Sequence, residues 1–192
     1  MAATSLPLSP DFLLPDLVFF EAGTRRAFRS SELLGKTGLL VGVICNHCPY
    51  VMHIAPTLSK VLNALQELGF SGVLVSANDP IAYPQDSPER MQEWASQFSI
   101  SVPYAFDEDQ SLVKRLFSTC TPEFTLFSAE RKAIYRGRFD ESNHKNGIQS
   151  TGCDLLQAAK DYAEGKNPEN LFLPSAGCSI KWKPGNEPEY DG

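Results

Sequence analysis

Two cysteines three positions apart, Cys45 and Cys48, stand in the stretch Cys45-Asn46-His47-Cys48-Pro49-Tyr50-Val51. Thiols at this spacing can close a disulfide, hold half of a metal site or present one nucleophilic thiolate. Read as an ordinary C-x-x-C pair, Cys45 would be the exposed nucleophile and Cys48 its resolving partner in the first helical turn. Pro49 argues for a different register. Proline is favoured at the first helical position, where its missing N–H is not needed, so Cys48 becomes the N-cap and Cys45 stays in the loop before the helix. A helix N-terminus favours an anion by about 0.3–1 kcal/mol, and one pKa unit is about 1.36 kcal/mol, so the dipole alone moves a thiol by roughly a unit. A larger shift needs hydrogen bonds from free helix N–H groups or a nearby cation, and protonated His47 is adjacent. Cys48 is therefore the expected nucleophile, with His47 tuning its pKa.

The elements that must position this pair alternate between strand and helix signals, the pattern of an α/β fold. Leu17 to Phe28 reads as a short hairpin around Ala22-Gly23, and Gly38 to Ile44 as a buried central strand. Val51, Ile54, Ala55, Leu58, Val61, Leu62, Leu65 and Leu68 recur at helical spacing, predicting one long helix, kinked at Pro56 and stopped at Gly69. Gly72 to Asp79 reads as the next strand. Ser87-Pro88-Glu89 opens a helix in N-cap, N1 and N2 order. A short strand (VPYAF), a short helix (EDQSLVKRLF), a hairpin from EFTLFS to KAIYRGRF and a helix near Cys153 to Glu164 follow. The last stretch, NPENLFLPSAGCSIKWKPGNEPEYDG, is rich in proline and glycine and reads as irregular surface chain.

This order, with a cysteine pair after the first central strand and Cys120-Thr121-Pro122-Glu123-Phe124 opening a late hairpin, resembles the thioredoxin-like superfamily over nearly the whole chain. The entry SPDFLLPD, the inserted strand and helix, and FDEDQSLVKRLF are similar to the branch that holds peroxiredoxins and membrane-tethered thiol reductases. The resemblance implies a central mixed sheet flanked by helices, an N-terminal hairpin and an irregular tail. It divides the chain into a thioredoxin-like domain over 1–166 and a tail over 167–192 packed on the same domain. It also implies that Pro122 is cis and lies against the redox cysteine, with Thr121 and Pro122 binding an extended substrate. The spacings from Val41 to Cys48 and from Cys48 to Pro56 match Cys48 to the first cysteine of the thioredoxin motif, and Val51 then takes the place of the second.

The tail carries a further resemblance. Cys178-Ser179-Ile180-Lys181-Trp182-Lys183-Pro184-Gly185 is similar in spacing to the resolving-cysteine stretch of two-cysteine peroxiredoxins. In that family the C-terminal cysteine attacks a sulfenic acid formed on the helix-terminal cysteine, usually across a dimer interface. Their peroxide site uses a threonine three residues before that cysteine and an arginine from a late strand. Cys45 stands in the threonine position here, the arginine position falls near Pro122, and Arg136 or Arg138 would have to substitute.

The combined reading is a thiol–disulfide oxidoreductase with Cys48 as nucleophile and Cys45 or Cys178 as resolving thiol. It acts on protein or small-molecule disulfides, draws on a thiol donor such as thioredoxin or glutathione, uses no cofactor and leaves a homodimer open. A hydroperoxide-reducing peroxidase with Cys178 resolving is the alternative, and a zinc- or partner-binding module is the non-enzymatic one. Cys120, Cys153 and Cys178 offer no second pair at zinc-ligand spacing, so no metal is expected. Cys120 and Cys153 are expected to be structural, and Asp79, Asp86 and Glu123 to be ordinary solvated carboxylates. His53 and His144 are given no role. A net charge of -6 without a basic stripe argues against nucleic acid and anionic membranes. Five cysteines, an odd number, fit a reducing compartment better than a secreted disulfide framework, and no signal or spanning segment is read, so a cytosolic location is expected.

Overall fold

The computed structural model describes residues 2–9 and 11–191; Pro10, inside the SPDFLLPD entry, lies outside them. The strands are β1 (Ala2–Thr4), β2 (Val18–Phe20), β3 (Ala27–Arg29), β4 (Gly38–Val43), β5 (Phe70–Ser76), β6 (Tyr104–Phe106), β7 (Cys120–Thr121), β8 (Glu123–Ser128), β9 (Ala133–Gly137), β10 (Phe172–Leu173) and β11 (Ala176–Ser179). The helices are α1 (Ser30–Leu33), α2 (Pro49–Glu67), α3 (Pro88–Gln97), α4 (Ser111–Arg115) and α5 (Cys153–Ala163).

Six strands form the central sheet in the order β10-β9-β8-β4-β5-β6. It is mixed: β4 pairs parallel with β5 and antiparallel with β8. Every residue of β4, Gly38-Leu-Leu-Val-Gly-Val43, is buried, as a central strand covered on both faces requires. One face packs on α2, whose Val51, Ile54, Ala55, Leu58, Val61, Leu62 and Leu65 make a continuous buried stripe. The other face carries Val41, Val43, Val73 and Val75 against Leu14, Leu17, Phe19 and Val113. The predicted hairpin is β2–β3. Pro56 lies within α2, and Gly69, at φ +84°, follows the helix in the left-handed conformation that glycine adopts freely. Ser87 caps α3 as expected.

The tail departs from the sequence reading. It is not irregular throughout: β10 extends the central sheet beside β9, and β11 is the middle strand of a second sheet, β1-β11-β7. Proline and glycine lower intrinsic strand propensity, but Ala176–Ser179 finds a pairing partner on each side, and tertiary pairing overrides propensity. No helix among the described residues is long and apolar enough to cross a membrane.

Candidate functional site

The end of β4 delivers Ile44 and Cys45 to the N-terminus of α2, where Cys48 is the N-cap in extended conformation and Pro49 the first helical residue. Cys48 is fully buried and Cys45 is 1% exposed. Pro122 follows a cis peptide bond from Thr121, the geometry expected from the resemblance. Thr121 touches both cysteines. Its carbonyl oxygen lies 3.2 Å from Cys48 Sγ, a contact in which the protonated thiol donates and the thiolate does not, and its Oγ1 lies 3.4 Å from Cys45 Sγ.

The tail brings the third sulfur. β11 pairs antiparallel with β7, Cys178 opposite Thr121 and Ser179 opposite Cys120, so Cys178 comes beside Cys48, whose charge its thiol and backbone N–H favour. Cys45, Cys48 and Cys178 thus converge, with Cys48 in the centre. The electrostatics separate them. Cys48 is lowered to about 4, chiefly by the Cys45 thiol donating to it, with further help from the Cys178 thiol and the N–H groups of Val51 and Cys178, against the opposing effect of burial. Cys45 is raised well above the ordinary thiol value, first because its proton serves Cys48 and then by burial and the nearby Asp86. Cys178 is pushed up to about 11, by burial and then by Cys48. One negative charge is shared by three sulfurs, and the donors converge on Cys48.

His47 is not a solvated loop residue. Its Nδ1 lies 2.6 Å from Asp86 Oδ2, and its ring stacks on Tyr83 at 5.5 Å. Asp86 is fully buried, and also accepts from the backbone N–H of Asn46 at 2.8 Å and from Asn78 Nδ2 at 2.7 Å. Asp79 and Glu123 are buried too, so all three carboxylates correct the expectation of solvated groups. Asp86 sits in Tyr-Pro-Gln-Asp-Ser-Pro, which reads locally as a polar turn, and nothing in that stretch reports the partners that bury it. The ligand atoms of Cys45, His47 and Asp86 lie within 4.8 Å of one another. Within this cluster Asp86 meets His47 Nδ1, the Asn46 N–H and Asn78 Nδ2.

Neither arginine considered for a peroxide site is free for that role. Arg136 is on the sheet face opposite α2, paired with Glu123 at 2.7 Å and bonded to Thr125 and to the carbonyls of Leu6 and Phe117. Arg138 pairs with Asp154 at 2.6 Å and lines a recess of about 170 Å³ beside Tyr50 and Pro122. A larger cavity of about 530 Å³, between the β2–β3 hairpin and α4, is lined by no cysteine. Cys120 is buried and its thiol is pushed up by desolvation, which suits the structural role expected of it. Cys153 opens α5 and is exposed, not packed. His53 contacts Ser142, and His144 meets the Tyr50 ring edge-on at 4.5 Å.

A model of the Redoxin family matches residues 10–150. Among solved structures, an uncharacterized conserved protein from Geobacillus kaustophilus is 34% identical at a TM-score of 0.92, over 96% of this chain and 98% of that one. A hypothetical protein from Sinorhizobium meliloti is 33% identical at a TM-score of 0.90, over 95% and 99%. The thioredoxin domain of a thiol-disulfide oxidoreductase from Bacteroides vulgatus, at 14% identity, shares the fold at a TM-score of 0.61, over 82% and 99%. No functionally curated protein matches the sequence. The fold is thioredoxin-like, and the matches support a thioredoxin-like redox role.

Proposed function

The chain belongs to the Redoxin family, and from that premise we propose that it is a thiol–disulfide oxidoreductase whose nucleophile is Cys48, with Cys178 or Cys45 resolving. The observation that carries this reading is the convergence of three sulfurs at the start of α2 beside the cis Thr121-Pro122 bond, where Cys48 is lowered and its two neighbours are raised. The Cys48 thiolate attacks one sulfur of a substrate disulfide R–S–S–R′, expelling R′S⁻ and leaving Cys48–S–S–R. A neighbouring thiol then loses its proton and attacks the Cys48 sulfur, expelling RS⁻ and closing a protein disulfide. Two electrons pass to the substrate.

The same geometry orders the steps. While Cys48 carries the charge, it holds the protons on Cys45 and Cys178. Once Cys48 is in a mixed disulfide, that anion is gone and both neighbours become easier to ionise. The resolving thiol is therefore activated by the first step.

The test is thiol exchange with a small aromatic disulfide. Cys48→Ser is expected to fall by at least about 100-fold, as loss of a nucleophile does; full activity in that variant would overturn the assignment. The peroxidase reading has the adjacency of Cys178 in its favour, but Arg136 and Arg138 are committed elsewhere. Hydrogen peroxide is accordingly expected to oxidise Cys48 at the rate of an ordinary thiolate.

A further inference from the structure

The cis-proline strand has an edge that a bound peptide would pair with, and here the chain pairs with it itself. β11 lies on β7 in antiparallel register, Ile180 N–H extends the pairing to the Thr119 carbonyl at 3.2 Å, and Cys178 faces the nucleophile. Gly177 makes the approach close: a Cβ built there would stand 2.1 Å from the Thr121 carbonyl oxygen, a backbone atom that cannot yield. The far edge of β11 is closed as well. β1 pairs along it, with Ala2, Ala3 and Thr4 opposite Cys178, Gly177 and Ala176. Ser5 and Ser175 continue that contact, the Ser5 N–H donating to the Ser175 carbonyl and the Ser175 N–H to the Ser5 hydroxyl. Downstream, Lys181 N–H donates to Asn78 and Lys183 N–H to Gln110, which fastens the tail after the strand.

Strand addition needs a free edge. A polypeptide disulfide cannot lie along β7 while β11 is there, and a protein dithiol cannot lay its own groove along β11 while β1 is there. Cys45 and Cys48 are buried, and of the three converging cysteines only Cys178 is a partly exposed residue.

Resting on the proposed redox role of Cys48, we propose that the electron donor is a low-molecular-weight thiol that attacks Cys178, and that Gly177, by admitting β11, sets this selectivity against protein partners. With the Cys48–Cys178 bond formed, a thiolate R–S⁻ attacks Cys178 Sγ. The S–S bond breaks, its electron pair leaves on Cys48, and R–S–S–Cys178 forms. A second R–S⁻ then takes R as R–S–S–R and releases Cys178, so two small thiols supply the two electrons. Attack at Cys178 is favoured over attack at Cys48 because the lower-pKa sulfur is the better leaving group.

The experiment uses a Cys45→Ser chain oxidised to the Cys48–Cys178 bond, mixed at equal thiol concentration with reduced glutathione or with a thioredoxin-type dithiol protein and followed by mass spectrometry. Glutathione is expected to be faster by at least about tenfold, with the transient adduct on Cys178. An unhindered disulfide would show the opposite order, because the dithiol protein's lower thiol pKa leaves more thiolate at neutral pH and its second thiol completes the exchange within one molecule. Gly177→Ala, which displaces β11 from Thr121, is expected to reverse the preference; if that variant does not fold, the two rates in the glycine chain still decide. Faster reduction by the dithiol protein, or an adduct on Cys48, overturns the proposal and leaves the nucleophile assignment standing. Failure of Cys48 and Cys178 to form a bond under mild oxidation overturns this proposal, whereas an active Cys48→Ser overturns the underlying reading.

Discussion

Each face of the central sheet buries an acid within a polar cluster, Cys48 on one and Glu123 on the other, and the two are shifted in opposite directions. On the α2 face, fully buried Cys48 is lowered to about 4. On the other face Glu123, 1% exposed and opposite Val43 in the sheet, is pushed up to about 7 by burial even though the Arg136 guanidinium is 2.7 Å away. Asp107, also on the side of α4, is raised to about 7 by burial despite the Val113 N–H at 2.9 Å. Burial is nearly the same in each case, so it cannot explain the difference. What differs is the balance of donors against burial. At Cys48 the Cys45 thiol outweighs burial and the Cys178 thiol and the N–H groups of Val51 and Cys178 add to it, whereas at Glu123 burial outweighs Arg136, Ser118 and the Thr119 N–H together. Desolvation costs an anion more than a nearby cation returns, while donors gathered at a helix start hold one in the interior.

The largest effect should come from breaking the carboxylate side. Arg136→Met strands Glu123 as a buried unpaired acid, and removal of one partner of such a pair costs about 3–5 kcal/mol. The loss depends on pH with a definite sign. Glu123 is raised in the folded chain, so its contribution is fully present below its unfolded value near 4.5 and is lost as pH rises through about 7. Without Arg136 the folded value climbs further, and the variant should be damaged more at pH 8 than at pH 5 in urea unfolding. Equal damage at both pH values would mean that lost packing of the arginine, not the bare carboxylate, dominates.

The thiol side was the more legible in the sequence, for a physical reason. Pro49 fixes a helix start by its own covalent geometry, so the N-cap role of Cys48 can be read without any tertiary contact. The stripe on α2 and the order of the central strands are likewise local or periodic signals. Asp86 and β11 are not. Asp86 looks like a turn residue because its partners, Asn46, His47 and Asn78, come together only when β4 and β5 are side by side. Ala176-Gly177-Cys178-Ser179 looks like loop because its strand character comes from Thr121 on one side and Ala2 to Thr4 on the other. The missing β-carbon of Gly177, which reads as flexibility, is in fact what permits contact with the Thr121 carbonyl. The sulfur motif could be recognised in the tail, but the occupancy of the docking edge could not.

A smaller effect sharpens the account of the thiolate. Cys45→Ala removes the donor that contributes most to lowering Cys48, and a hydrogen bond to a charged group is worth about 1.5–3 kcal/mol, so Cys48 should rise by about 1–2 pKa units. The pH profile of iodoacetamide modification, or thiolate absorbance, measures it. An unchanged profile would assign the charge to the Val51 and Cys178 amides and the helix start alone.

The smallest effect isolates Thr121, which serves the site through two different atoms. Its hydroxyl touches Cys45, whereas its carbonyl meets Cys48 and its backbone pairs with β11. Thr121→Val keeps the β-branched shape and the whole backbone and deletes only the hydroxyl, so stability should change by about 1 kcal/mol or less. The hydroxyl lowers Cys45, so its removal should make that thiol still harder to ionise, slowing closure of a Cys45–Cys48 bond while the alkylation profile of Cys48 moves by less than about half a unit. Closure of the Cys48–Cys178 bond, which uses backbone pairing and not the hydroxyl, should be unaffected. Measured by mass spectrometry after mild oxidation, a shift of the product ratio towards Cys48–Cys178 would show that the side chain of Thr121 serves one resolving thiol and its main chain the other. Equal slowing of both bonds would mean that the hydroxyl acts by holding the loop, and that Cys45 and Cys178 are not independently controlled.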